Sequence, residues 1–180
     1  MAEARALVTR FYDAFSRLDS EGMLDCLHPE ITFSDPLFPN VRKGQVFEMW
    51  RMLIASAARH PEDFKLSYEF VFLEDRKAQV HWQASYRYGG RRKVRNKVLA
   101  TFTFWDGLIV RHVDGFNFYT WARQALGVLG LGLGWSRKFR ASVQAAAAKQ
   151  LLAYMGRPLS AEEQALNEKA SHKNQYQENK

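Results

Sequence analysis

Residues 64–118 carry the pattern that most restricts what this chain can become. Phe64, Leu66, Tyr68, Phe70 and Phe72 alternate with their neighbours, and Glu74-Asp75-Arg76 turns the chain. Val80, Trp82, Ala84, Tyr86 and Tyr88 repeat the alternation. After a basic turn so do Val94, Asn96, Val98, Ala100, Phe102 and Phe104. Trp105-Asp106-Gly107 then turns the chain into a last strand over 108–118, and its Asp-Gly pair suits a tight hairpin. A period of two sends successive side chains to opposite faces, so each run builds a sheet with one apolar side. Tight turns between long runs make the neighbours antiparallel. A sheet of this kind must bury its apolar face against another layer.

That layer is supplied by the first third of the chain. Residues 3–18 place Leu7, Phe11, Ala14, Phe15 and Leu18 on one helical face, with Arg10, Asp13 and Arg17 polar. A short helix follows over 23–27, and a longer one over 45–58 contains Phe47, Met49, Trp50, Leu53 and Ile54. Between them Ile31-Thr32-Phe33-Ser34 alternates as a short strand and breaks at Asp35-Pro36. The order predicts an α+β fold, with helices on one face of a curved antiparallel sheet.

Beyond the sheet the texture changes again. Residues 120–126 suit a helix, and 127–135 form a glycine-punctuated apolar connector, flexible or closely packed. An alanine-rich helix over 136–155 has Ser136 as its N-cap, and Gly156-Arg157-Pro158 stops it. Ser160 can cap one more short helix, and the end of the chain is polar. The expected organisation is a domain over 1–119, a C-terminal helical extension over 120–170 and a disordered tail over 171–180. Glycines 127, 130, 132 and 134 follow a helix and lack dinucleotide-fingerprint spacing, so they do not signal a nucleotide site. No serine lies in a strand-to-helix elbow of the kind a serine nucleophile needs.

Composition narrows the class further. A chain of 180 residues with 47% hydrophobic residues can bury a full core. No apolar run approaches the ~18 residues of a membrane span, and the N-terminus has no cleavable apolar block. A soluble, cytoplasmic protein without stable membrane insertion is the expectation. The single cysteine, Cys26, excludes an internal disulfide and any cysteine-based metal site. The formal charge of +7 is concentrated most densely at Arg91-Arg92-Lys93-Val94-Arg95-Asn96-Lys97. Aromatic residues are not interleaved with those charges, so nucleic acid is not the expected partner.

Two places carry chemistry. The alternation of Ile31, Phe33 and Asp35 puts a carboxylate on a buried face, where it must be paired, hydrogen-bonded or neutral. Asp35 can instead simply cap the turn opened by Pro36. On the last strand His112, Asp114 and Phe116 share a face that Phe116 marks as interior. If Asp35 reaches the same space, two carboxylates and an imidazole stand among aromatic rings, a setting that separates pKa values and supports acid–base chemistry. Equally, His112 and Asp114 can be a self-satisfied pair that rivets the strand. One histidine and two acids make a weak metal set, so no metal is expected.

These residues resemble a known family. The stretches 10–15 with Leu18-Asp19, 27–36, and the closing strand 109–116 look like the nuclear transport factor 2-like superfamily. Its cone-shaped α+β fold is shared by ketosteroid isomerase, scytalone dehydratase, limonene epoxide hydrolase and SnoaL-type polyketide cyclases. The resemblance implies a cone-shaped curved antiparallel sheet with the N-terminal helices on its concave face. Asp35 before Pro36 matches the general base of the ketosteroid isomerases. Their oxyanion donors do not carry over, because the helical tyrosine falls on Phe11, with Tyr12 one place off on another face, and the strand aspartate falls on Ala100. Steroid isomerisation is therefore not implied, and the Asp-Arg-Asp set of the epoxide hydrolases is incomplete. The SnoaL-type cyclases, with an acid on the closing strand, fit Asp114 better.

The resulting expectation is a cofactor-independent lyase, isomerase or cyclase-like activity on a small hydrophobic ligand, in a homodimer. Asp35, His112 and Asp114 are the candidate catalytic residues. Phe11, Tyr12, Phe15, Trp50, Trp82, Tyr86, Asn96, Phe102 and Phe116 are the candidate ligand-binding residues. The alternative is a binding or dimerisation module of the same fold without catalysis.

Overall fold

A computed structural model describes residues 1–156. Helix α1 (Ala2–Ser16) buries Ala4, Leu7, Val8, Phe11, Tyr12, Ala14 and Phe15. This stripe is wider than the sequence periodicity implies, because Val8 and Tyr12 join it. Phe11 packs edge-on to Trp50 while Tyr12 stacks on Tyr68 with ring centroids 4.6 Å apart, so the helix is covered on two sides. A helix lying in a curved sheet needs that broader apolar face. Asp19 then caps helix α2 (Ser20–Leu24), its carboxylate accepting from Gly22 N at 2.9 Å.

Strand β1 (Leu27–Ser34) and the short β2 (Val41–Arg42) precede helix α3 (Gly44–Ala57) and a 3-10 turn, Pro61–Asp63. Four long strands follow: β3 (Lys65–Leu73), β4 (Lys77–Tyr88), β5 (Arg92–Trp105) and β6 (Leu108–Gly115). They form one sheet in the order β2-β1-β6-β5-β4-β3. The pairs β3–β4, β4–β5 and β5–β6 are antiparallel. Gly89 and Gly90 of the β4–β5 turn have positive φ, as do Asp106 and Gly107 in the β5–β6 turn. The β5–β6 turn is thereby a two-residue hairpin, and the β4–β5 turn, in which Tyr88 pairs with Arg92, is a three-residue one. The sheet departs from antiparallel order at one seam, where β1 runs parallel to β6 with Phe33 opposite His112. No hairpin joins those two strands, so turn geometry does not dictate their direction.

Arg51 ties α3 to α2, donating to Glu21 at 2.8 Å and to Glu48 at 2.7 Å. With α3 held there, Trp50 faces the sheet and is buried. The inward residues of β5 show why the interior divides. Phe104, Phe102 and Ala100 belong to the main core with α1 and α3, whereas Val94 belongs to a second cluster with Phe118, Trp121, Ala122 and Ala125. Ala84 and Val98 are buried at the seam between them.

Helix α4 (Phe118–Leu126) supplies that second cluster. Its N-cap Asn117 accepts from Thr120 N at 2.9 Å. The glycine-punctuated connector folds into a short helix, α5 (Val128–Leu133), pressed against α4: a Cβ on Gly130 would lie 1.9 Å from the Ala122 carbonyl oxygen. Helix α6 (Arg137–Met155) starts at Ser136, whose hydroxyl accepts from Phe139 N. It crosses both clusters, with Phe139 and Val143 against the second and Ala147, Leu151 and Tyr154 against the first. The expected helix after Ser160 and the tail over 171–180 lie outside the described residues.

Candidate functional site

Alternation along β6 turns His112 and Asp114 inward, and alternation along β5 does the same for Asn96. Among the described residues these three are the buried polar or charged side chains outside the aromatic set. His112 Nε2 and Asp114 Oδ1 stand 2.9 Å apart. Trp82, inward on β4, donates its Nε1–H to the same oxygen at 3.3 Å. The imidazole is clasped by four rings: Phe102 at 4.4 Å between centroids, Phe33 at 5.1 Å, Phe11 at 5.7 Å and Trp50, stacked at 5.9 Å. In such surroundings an unpaired charge is costly, so the carboxylate and its two donors form one unit.

Asp35 sits at the end of β1, where Pro36 breaks the strand. Its Oδ1 accepts from Leu37 N at 2.7 Å and from Phe38 N, so it does cap the turn. Yet capping does not keep it an ordinary carboxylate. Burial pushes its pKa up to about 7, and the nearby Asp114 charge adds to the rise. The two amide donors and His112 oppose the shift without cancelling it. A carboxyl poised near neutrality can take up or release a proton at cellular pH. Asp35 thus caps the turn while burial raises its pKa.

The other predicted residues divide between the two clusters. Phe11, Tyr12, Trp50 and Phe102 lie with His112 in the main core, and Phe15 joins them through Trp50 and Trp82. Tyr86 and Phe116 lie with the second cluster. Burial raises the Tyr86 pKa to about 12, and its hydroxyl accepts from Trp121 Nε1 at 3.0 Å. Tyr12, one place off Phe11, is also fully buried. The physical reason is the two-sided cover of the helix. Burial and the Asp114 charge hold its hydroxyl well above the usual phenol range.

Three buried polar atoms have no partner among the described residues: Tyr12 Oη, Trp50 Nε1 and His112 Nδ1. All three rings contact Phe11, at centroid distances of 5.4, 5.8 and 5.7 Å. Such orphans are uncommon in a core that has no other task. Residues that periodicity did not bring forward are Trp121, Leu37 and Gln144. Gln144 of α6 donates to the Pro36 carbonyl at 2.9 Å and so ties the extension to the Asp35 turn. Leu37 packs against both clusters.

Two open clefts border the sheet. One of about 400 Å³ borders Glu3, Leu7, Asp75 and Trp105. Another of about 830 Å³ borders Tyr68, Trp82, Lys97, Leu99 and Phe116, so two of the candidate ligand-binding residues line it, one of them the Trp82 that donates to Asp114. Neither is lined by Asp35, His112 or Asp114. Among the described residues no three His, Cys, Asp or Glu side chains are grouped to hold a metal ion.

The sequence model of SnoaL-like domains matches residues 8–112. No curated protein matches the chain. Among solved structures, AclR of Streptomyces galilaeus is 19% identical with a TM-score of 0.57, over 88% of this chain and 99% of that one. An LEH-like epoxide hydrolase of M. tuberculosis is 18% identical with a TM-score of 0.54, over 73% and 96%. An NTF2-like protein of Burkholderia xenovorans LB400 is 20% identical with a TM-score of 0.54, over 69% and 96%. At these identities the structures speak for the fold alone.

Proposed function

The chain belongs to the family of SnoaL-like domains, and on that premise we propose that it is a cofactor-independent acid–base enzyme acting on a small hydrophobic molecule. The reaction is of the isomerase, cyclase, dehydratase or epoxide hydrolase type. The observation that carries this reading is Asp35, a carboxyl held near a pKa of about 7 beside a buried His112–Asp114 pair.

In this reading Asp35 moves the proton. Its Oδ1 is engaged by the turn amides, which leaves Oδ2 to face the ligand. A neutral Asp35 protonates a leaving or carbonyl oxygen, and an ionised one removes a proton next to a carbonyl or activates water. Asp114 stays fixed by its two donors and sets the field in which Asp35 titrates. His112 positions Asp114 and offers Nδ1, an atom without a partner, as a relay. Tyr12 and Asn96 supply hydrogen bonds to the ligand, and Trp82, whose N–H is spent on Asp114, shapes the wall instead. Preorganised groups of this kind typically contribute factors of ~10²–10⁴ each.

One observation favours binding without catalysis: the larger cleft is lined by Trp82 and Phe116 but by none of Asp35, His112 and Asp114. The discriminating experiment is native mass spectrometry of the purified protein with identification of any released molecule. Turnover of that molecule by the wild type and by Asp35→Asn and Asp114→Asn then decides. Loss of turnover in both variants supports the enzyme. Retained affinity in both, with no product from any of the three proteins, supports the binding module.

A further inference from the structure

The short helix α5 is built inside out. Gly130 faces the protein and the large apolar residues face away. Gly130 sits against the Ala122 backbone, where a Cβ would come within 1.9 Å of the carbonyl oxygen, and Gly134 lies against Tyr119 and Ala122. The residues that normally fill such an interface point outward instead: Val128 is 85% exposed, Leu129 63%, Leu131 56%, Leu133 47% and the adjacent Trp135 77%. The arrangement is held firmly, because Tyr119 donates to the Leu131 carbonyl at 3.3 Å and Trp135 Nε1 donates to the Gly132 carbonyl at 3.0 Å. An exposed apolar cluster on a fixed scaffold marks a contact surface.

Charge identifies what it contacts. From Asn117 to Gly156 the chain has Arg123, Arg137, Lys138, Arg140 and Lys149, and no aspartate or glutamate. The basic β4–β5 hairpin is docked beside the start of α5. Arg92 donates to the Gln124 carbonyl at 2.8 Å and its guanidinium lies against Gly127, while Gln124 also bridges the Arg95 backbone. Arg91 and Arg95 remain exposed there. The two features that the acid–base site leaves unused, the basic hairpin and the glycine-punctuated connector, therefore form one surface. Its centre is apolar and its surroundings are cationic.

We propose that this surface docks on an anionic phospholipid bilayer. Apolar side chains that enter the headgroup region, with Lys and Arg beside them, give reversible binding whose strength follows buried apolar area and anionic lipid content. A second copy meeting through the same patch would bring cations against cations. Nucleic acid would find a single stacking ring, Trp135, among four aliphatic side chains, which is little for base stacking. No described helix is long and apolar enough to cross a membrane, so the contact is at the surface.

The test uses the full chain with mixed phosphatidylcholine–phosphatidylglycerol vesicles against pure phosphatidylcholine, read by co-sedimentation. The expected result is binding to the mixed vesicles that weakens as salt rises. Leu129→Ser with Leu131→Ser weakens it by at least about tenfold, and Arg137→Gln with Lys138→Gln weakens it by about tenfold or more. Both pairs are exposed, so circular dichroism should show unchanged folding. Absence of binding to the mixed vesicles at low salt overturns the proposal. So does full retention of binding by the leucine variant. Conversion of a dimer to a monomer by that variant, without any vesicle binding, assigns the patch to a second copy and also overturns it.

Discussion

His112 and Asp114 stand two residues apart on β6 and meet through Nε2 and Oδ1 at 2.9 Å, both shielded from solvent. A buried carboxylate with one partner removed keeps its desolvation cost and loses its compensation. His112→Leu leaves Asp114 only the longer bond from Trp82. It is expected to lower unfolding free energy by about 3–5 kcal/mol. Asp114→Asn keeps an acceptor for both donors and is expected to lower it by about 1–2 kcal/mol. Urea unfolding of the two variants checks the order.

Asp35 gives stability a pH dependence opposite to that of an ion-paired carboxylate. Its folded-state pKa of about 7 lies above the ordinary value of 3.8, so the native state holds the proton more tightly than the unfolded chain. Stability is therefore greatest below the unfolded pKa and falls as pH rises through the folded one. The loss is bounded by about 4 kcal/mol, and the partial exposure of Asp35 places it below that bound. Asp35→Asn retains an acceptor for the Leu37 and Phe38 amides. It should be more stable than the wild type at pH 8 and should flatten the profile between pH 4 and 7. A urea midpoint series across pH tests both.

Gly130 has no room for a methyl group, because the nearest atoms a Cβ would meet are the Ala122 backbone. Gly130→Ala should displace α5 from α4 and lower unfolding free energy by about 1–3 kcal/mol. Gly132→Ala, with nothing within 4 Å, should leave it within about 0.5 kcal/mol of the wild type. Thermal melts of the two variants make the comparison.

The bond from Gln144 to the Pro36 carbonyl makes α6 a support for the Asp35 turn. Gln144→Ala removes about 1 kcal/mol of local restraint. Hydrogen exchange of the Leu37 and Phe38 amides should accelerate about fivefold, with exchange in β5 unchanged.

Much of this was legible in the sequence because the pattern and the physics coincide. Period-two alternation correctly turned Asn96, His112 and Asp114 inward, and hairpin chemistry at Asp106-Gly107 ordered the strands. The burial of Tyr12 was not legible because helical periodicity finds one stripe, whereas a helix in a curved sheet is covered on two sides. The parallel seam between β1 and β6 joins strands far apart in sequence, and no local signal specifies its direction. The Trp121–Tyr86 bond and the reach of Gln144 to Pro36 are long-range in the same way. Glycine spacing read as a connector hid α5, because glycine at a helix seam and glycine in a loop look alike until a neighbour is in place.

The central claim is that Asp35 titrates near neutrality in the folded protein. The most direct measurement is the carboxyl ¹³C chemical shift of Asp35 followed by NMR across pH, assigned by its disappearance in Asp35→Asn. A midpoint near 7, shifting downward when Asp114→Asn removes the neighbouring charge, is the predicted result. A midpoint near the ordinary value of 3.8, unmoved by Asp114→Asn, would contradict the account and reduce Asp35 to a turn cap.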